Sequence, residues 1–207
     1  MGITYINLHM FRNFMDFKER LLVIMEQKRH WSDTYFFGDD ANNNIATIAE
    51  LIFHMQQEYG TYVKDFPRYL ENILKGNPPL DVRASLLDNI REEDRGEISG
   101  FSRSHPEMFL DIPKGFGYNR EYFENFTLLK ESAAYKQWLG TVTDEKFWLE
   151  GLAVMTIFVE GNSKERYNFR SGPKINIEEQ LKNHRLVTVY GLDTKYLVRG
   201  RARTLAG

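Results

Sequence analysis

Four side chains stand where their type and spacing could do chemistry. Leu86, Ile90, Glu93 and Glu97 follow one another at steps of four, three and four, the spacing of one helix face. Both carboxylates therefore continue an apolar stripe. A buried carboxylate without a partner is costly and takes up a proton, so a cation or hydrogen-bond donors should stand opposite. The alternative is a helix that frays after Ile90, leaving Glu92, Glu93, Asp94 and Glu97 as a solvated acidic end. Glu160 directly follows Leu152-Ala153-Val154-Met155-Thr156-Ile157-Phe158-Val159, a run apolar on nearly every face and expected to be buried. It either needs an interior partner or pairs at the surface with Lys164 or Arg166. His105 falls in the first turn of a helix, where its ring can aim at a cavity or form a surface hydrogen bond.

The chain contains no Cys, which removes disulfides, thiolate metal sites and Cys nucleophiles together. Any metal must be held by Asp, Glu and His. His9, His30, His54 and His184 are not set against carboxylates in a way that reads as a metal pair, and His54 reads as a core histidine on an apolar stripe. Gly115-Phe116-Gly117 lacks a third glycine and a preceding strand, so it is no dinucleotide fingerprint. No phosphate-binding loop, Ser elbow or His-Glu-x-x-His helix is present.

The elements that must position these residues read as helices. The 207 residues are 42% hydrophobic and 14% aromatic, the composition of a folded domain, and a single domain over 1–207 is expected. The formal charge of -2 offers no bulk attraction to nucleic acid or anionic lipid. The longest apolar run falls far short of the ~20 residues of a membrane helix, and the first residues lack a basic region followed by an apolar one. A soluble cytoplasmic protein is expected.

Phe11, Phe14, Phe17, Leu21, Leu22 and Ile24 mark an amphipathic helix ending near Lys28. A second run, about 42–74, carries its stripe through Ile45, Leu51, Met55, Tyr59, Phe66 and Leu70, with kinks expected at Gly60 and Pro67. A helix over about 79–96 follows. Ser104-His105-Pro106-Glu107 opens the next with a capping box and an early proline, and Asn119 caps one reaching Leu139. Thr143-Asp144-Glu145 should cap the apolar helix through Val159. Asn176-Ile177-Glu178-Glu179 is another capping box, and Asp193-Thr194 caps a last short helix. Residues 186–190 suit a strand as well as a helix. An all-α bundle of about seven helices is the economical architecture.

Read together, Asn89-Ile90-Arg91-Glu92-Glu93-Asp94-Arg95-Gly96-Glu97, Ser104-His105-Pro106-Glu107-Met108-Phe109 and Phe158-Val159-Glu160-Gly161 resemble the haem-oxygenase-like di-iron oxidases. This superfamily includes the pyrroloquinoline quinone synthases, the thiaminase II enzymes and a chlamydial protein that associates with death domains. Tyr62-Val63-Lys64-Asp65-Phe66-Pro67-Arg68-Tyr69-Leu70 is similar to its second core helix, and Val189-Tyr190-Gly191-Leu192-Asp193 to the lead-in to its final helix. The resemblance spans about residues 45–200.

It implies a seven-helix bundle holding one or two Fe(II) ions, or Mn, with Glu93, His105 and Glu160 as metal ligands. Glu92 or Glu97 could stand in for Glu93. The implied reaction is oxidation of a small apolar or amino-acid-derived substrate by O2, and the implied assembly is a homodimer. The closing helix departs from the family pattern: Arg201-Ala202-Arg203 stands where Arg-Ala-His is expected, and Gly207 falls near a carboxylate position. A non-catalytic bundle that binds a ligand or partner, or a metal-free oxidase of the same fold, is the alternative. Arg203 could then neutralise Glu93 or Glu160, and the missing Cys argues against a thiaminase.

Overall fold

The computed structural model describes residues 35–36, 45–97, 102–159 and 177–197. The chain divides into two compact units, Met1–Ile45 with Asn162–Ser171, and Ala46–Gly161 with Gly172–Gly207. In the first, Tyr35 and Phe36 set their rings edge to face at 5.2 Å. The amphipathic helix expected over 11–28 lies outside the described residues. The described residues of the second unit are predominantly helical and include no strand.

Helix α1, Ile48–Glu58, starts at the capping residue Thr47. The Thr47 hydroxyl accepts the Glu50 amide at 3.3 Å, and the Glu50 carboxylate accepts the Thr47 amide at 2.8 Å, satisfying two otherwise orphaned donors. After Glu58 the backbone widens into a π-turn, Tyr59–Val63. Helix α2, Phe66–Lys75, then begins with Pro67 in its first turn. The 42–74 run is thus two helices joined by a π-turn, with the breaks at Gly60 and next to Pro67. A Cβ at residue 60 would overlap the Phe126 ring and crowd Leu128. The Lys136 ammonium donates to the Gly60 carbonyl at 2.7 Å and pairs with Asp65 at 2.6 Å.

Helix α2 is the centre of this unit. Phe66, Tyr69, Leu70 and Ile73 are buried at helical spacing, the last three with no exposure at all. Against them pack α3, Leu80–Arg95, α7, Lys130–Asp144, and α8, Trp148–Ala153. Leu86, Leu139, Val142, Val154 and Met155 complete the cluster. Helix α3 ends at Gly96, whose φ of 60° makes the left-handed cap that glycine adopts without a steric penalty.

Three short helices cross between α3 and α7: α4, His105–Phe109, α5, Asp111–Gly115, and α6, Arg120–Glu124. Ser104 and Asn119 cap α4 and α6 through the Glu107 amide at 3.3 Å and the Tyr122 amide at 2.7 Å, but the capping box expected at Ser104 is only half formed, because the Glu107 carboxylate is taken up by Arg120. The helix expected to run from Asn119 to Leu139 is broken, because residues 125–129 are non-helical and bond elsewhere. Buried Gln57 donates to the Thr127 carbonyl at 3.2 Å and accepts the Leu129 amide at 2.9 Å. Its neighbour Gln56 donates to the Phe123 carbonyl at 3.1 Å. These long-range bonds replace the intrahelical ones.

Thr143 is no cap: it is buried inside α7, and its hydroxyl donates to the Leu139 carbonyl at 2.8 Å. Helix α8 starts after Phe147 instead and passes into a second π-turn, Val154–Val159. Helices α9, Ile177–Lys182, and α10, Arg185–Thr188, follow. The strand-like segment from residue 186 is therefore helical at its start. The His184 ring accepts the Leu186 amide at 3.2 Å as an N-cap, and no strand among the described residues is available to pair with it. Asp193 opens the last turn, its carboxylate accepting the Lys195 amide at 2.9 Å.

Replacing Gln57 by Ala removes both bonds, which tie the Thr127 carbonyl and the Leu129 amide to a buried side chain. A loss of about 2 kcal/mol is expected, or roughly 4–8 °C in Tm by scanning calorimetry. Unchanged melting would show that the Gln57 bonds do not hold residues 125–129.

Candidate functional site

Of the residues singled out for chemistry, Glu93 and His105 meet between the last turns of α3 and the first turn of α4. Along α3, Val82, Leu86 and Ile90 face the core cluster, and Glu93 comes next on the same stripe. The helix does not fray at Ile90; it continues through Arg95. Glu92 is the most buried of the acidic residues on α3, at 9% exposure. Glu97 lies beyond the Gly96 cap, exposed, and pairs with Arg95 at 3.2 Å, so the inward stripe stops one residue earlier than the spacing predicts. Across from α3, the Ser104 cap and Pro106 set α4 so that His105 points back at the acids.

The His105 ring is bracketed. Its Nδ1 lies 2.8 Å from a Glu93 oxygen and its Nε2 3.4 Å from a Glu92 oxygen. Side-chain exposures of 11%, 15% and 28% for Glu92, Glu93 and His105 place the trio at the rim of the fold. Burial of the ring works against its charge, but the hydrogen bonds and negative charges of Glu93 and Glu92 outweigh that and raise the His105 pKa above its usual 6.5.

Two further charged clusters flank the trio. Asp111 is almost fully buried and is held by Arg103 and Lys114, each at 2.8 Å. Burial alone would raise its carboxyl pKa, yet the two cations bring it below the ordinary 3.8. Arg120 makes a two-pronged contact with Glu107 at 2.8 and 2.9 Å and also pairs with Glu124 at 2.7 Å. Tyr59 donates to Glu124 at 3.4 Å. Burial, reinforced by the Glu124 charge, pushes the Tyr59 phenol up to about 12.

A shared cation would sit ~2.0–2.2 Å from an imidazole nitrogen and a carboxylate oxygen, which puts adjacent donors about 2.8–3.6 Å apart between octahedral and tetrahedral geometry. Both His105 contacts, 2.8 Å to Glu93 and 3.4 Å to Glu92, fall within that range, and the shorter is equally the length of a charge-assisted hydrogen bond. Among the described residues no three His, Asp or Glu groups are arranged to hold a metal ion. Glu160, the third ligand that the resemblance implies, lies outside the described residues, as do Lys164, Arg166, Arg203 and Gly207.

No family model, curated protein or solved structure matches this chain.

Some contacts escape the sequence reading. His54 is a half-exposed residue paired with Glu58 at 3.2 Å, not a core histidine. The i+4 spacing of Glu58 carried that signal. Tyr62 donates to the same Glu58 at 3.2 Å. Asp111 carries a weaker signal, an acid between Leu110 and Ile112 with Lys114 at i+3. Its bond to Arg103 depends on how α4 and α5 meet.

Because the His105 pKa is raised in the folded chain, its stabilising effect is full below the unfolded value near 6.5 and is lost as pH rises through the folded value. His105 ring-proton NMR should give a midpoint above 6.5 that falls in Glu93→Gln. A midpoint unaffected by that substitution would refute the pairing. For Asp111 the sign is opposite: its contribution is present above 3.8 and is lost as pH falls through the lowered value. Asp111→Asn should cost about 1 kcal/mol in urea unfolding at neutral pH, because two partly exposed, solvent-screened cations lose their buried partner. A loss below about 0.5 kcal/mol would mean the cluster is solvated.

Proposed function

We propose that this chain is a haem-oxygenase-like helical bundle that holds Fe(II), or Mn(II), through Glu93, His105 and Glu160. In this reading it oxidises a small apolar or amino-acid-derived substrate with O2. The single observation that carries the reading is the 2.8 Å approach of Glu93 to His105 Nδ1. It brings one oxygen donor from α3 and one nitrogen donor from α4 to within the spacing of neighbouring ligands on one ion. Such a donor set suits hard or borderline divalent metals. Bound iron would supply the one-electron chemistry that O2 activation needs. The protein's own part is to hold the two donors in fixed orientation at the end of an apolar stripe, with Glu92 against the far side of the ring. The homodimer implied by the resemblance belongs to the same proposal.

One observation favours a second reading. Both ring nitrogens of His105 already face carboxylates, which makes a self-contained ion-pair triad fastening α4 to α3. A metal-free bundle of the same fold, binding a ligand or partner, needs nothing more at this position.

Anaerobic Fe(II) titration of the whole chain, with metal analysis after desalting, separates the two. The metal reading expects stoichiometric iron that is lost in His105→Ala and Glu160→Ala and weakened at least tenfold in Glu93→Gln, with helicity by circular dichroism retained. No iron in the unmodified chain would leave the triad reading standing.

A further inference from the structure

The π-turn Tyr59–Val63 is held open by side chains from other helices. In a continuous α-helix each amide bonds the carbonyl four residues back, so the Lys64 amide would take Gly60 and the Asp65 amide would take Thr61. Here the Lys64 amide reaches the Tyr59 carbonyl at 3.1 Å and the Asp65 amide reaches Tyr62 at 3.2 Å. The two displaced carbonyls take other donors. Lys136 of α7 donates to Gly60 at 2.7 Å, and the Tyr69 hydroxyl of α2 donates to Thr61 at 3.0 Å. Asp65 fixes the Lys136 ammonium at 2.6 Å. Lys136 and the Lys64 amide therefore compete for one acceptor, and the lysine holds it.

A change of register at this turn would reach distant parts of the unit. Tyr59 stacks on Phe109 of α4 at 6.1 Å and meets Phe123 edge to face at 5.7 Å, and α4 opens with His105. Two residues before Tyr59, Gln57 holds the Thr127 carbonyl and the Leu129 amide. A single π-turn inside a helical run amounts to one surplus residue. Returning the Lys64 amide to Gly60 passes that surplus toward α1 and rotates the residues it crosses by about 100°, which withdraws Tyr59 and Gln57 from these partners. Packed helices take discrete arrangements, so the change is a step and not a slide.

We infer that the Tyr59–Val63 turn is a two-position register switch latched by Lys136, and that its position decides whether α1 holds α4 and residues 125–129. The inference stands apart from the metal reading, because none of the groups in the switch is a candidate ligand.

The test is NMR on the whole chain, deuterated and labelled with 15N and 13C, in which scalar coupling across a hydrogen bond identifies the carbonyl that each amide bonds. In the unmodified chain the Lys64 amide should couple to the Tyr59 carbonyl carbon. In Lys136→Met it should couple to Gly60 instead. Hydrogen exchange of the Leu129 amide should accelerate at least about tenfold relative to the Leu86 amide of α3, the order expected for losing a bond from a charged donor. Lys136→Arg, which keeps a cation beside Asp65, should retain the Tyr59 coupling. Tyr69→Phe removes only a hydroxyl from the core and serves where Lys136→Met fails to fold; it should raise Leu129 exchange about fivefold on the same scale. A Lys64–Gly60 coupling already present in the unmodified chain would overturn the inference. So would a Tyr59 coupling that survives Lys136→Met while Leu129 and Leu86 accelerate together, or Leu129 exchange unmoved by Tyr69→Phe.

Discussion

Everything in the described core depends on the burial of one face of α2. Phe66, Tyr69, Leu70 and Ile73 present a continuous apolar stripe, and a helix with such a stripe must cover it against neighbours. Three neighbours do so, α3, α7 and α8. Each fully buried side chain of this size is worth roughly 1.5–3 kcal/mol, so the four together exceed the stabilisation available from any surface ion pair in the unit. The placement of α3 follows from this packing, and the placement of the acids on α3 follows in turn. Tyr69 contributes a second time, since its hydroxyl donates to the Thr61 carbonyl at 3.0 Å and ties α2 to the π-turn before it.

The polar groups inside this core act as connectors. Gln56 and Gln57 extend from α1 to hold residues 122–129, and Lys136 reaches from α7 to the Gly60 carbonyl. Each bond spans more than sixty residues of chain, so each fixes one long-range distance. The same logic applies to Asp111, where one buried acid gathers Arg103 and Lys114. No buried side-chain polar atom is left without a partner among the described residues. That is the condition under which buried polar groups specify a fold rather than weaken it.

The trio of Glu92, Glu93 and His105 sits at the edge of this arrangement, where α3 stops. Gly96 ends the helix in a left-handed turn, and that stop decides which acids remain beside the core. Both acids face the His105 imidazole, Glu93 at Nδ1 and Glu92 at Nε2. No helix among the described residues is long and apolar enough to cross a membrane.

Much was legible in the sequence because it is local. The stripe spacing of α2 and α3, the caps at Ser104 and Asn119, and the breaks at Gly60 and Pro67 all depend on residues within one or two turns of each other. The pattern Leu86, Ile90, Glu93 likewise marks an inward acid through helix geometry alone. What tertiary structure decided is what involves distant partners. Residues 125–129 leave the helix because Gln57 offers them better bonds, Thr143 is buried in α7 instead of capping α8, and the strand-prone segment from residue 186 starts as helix, with no strand among the described residues to pair with. Among the acids, spacing could not choose between Glu92, Glu93 and Glu97. The choice required the cap at Gly96 and the approach of a histidine from another helix, because a side chain's partner is set by packing, which spacing along one helix does not contain.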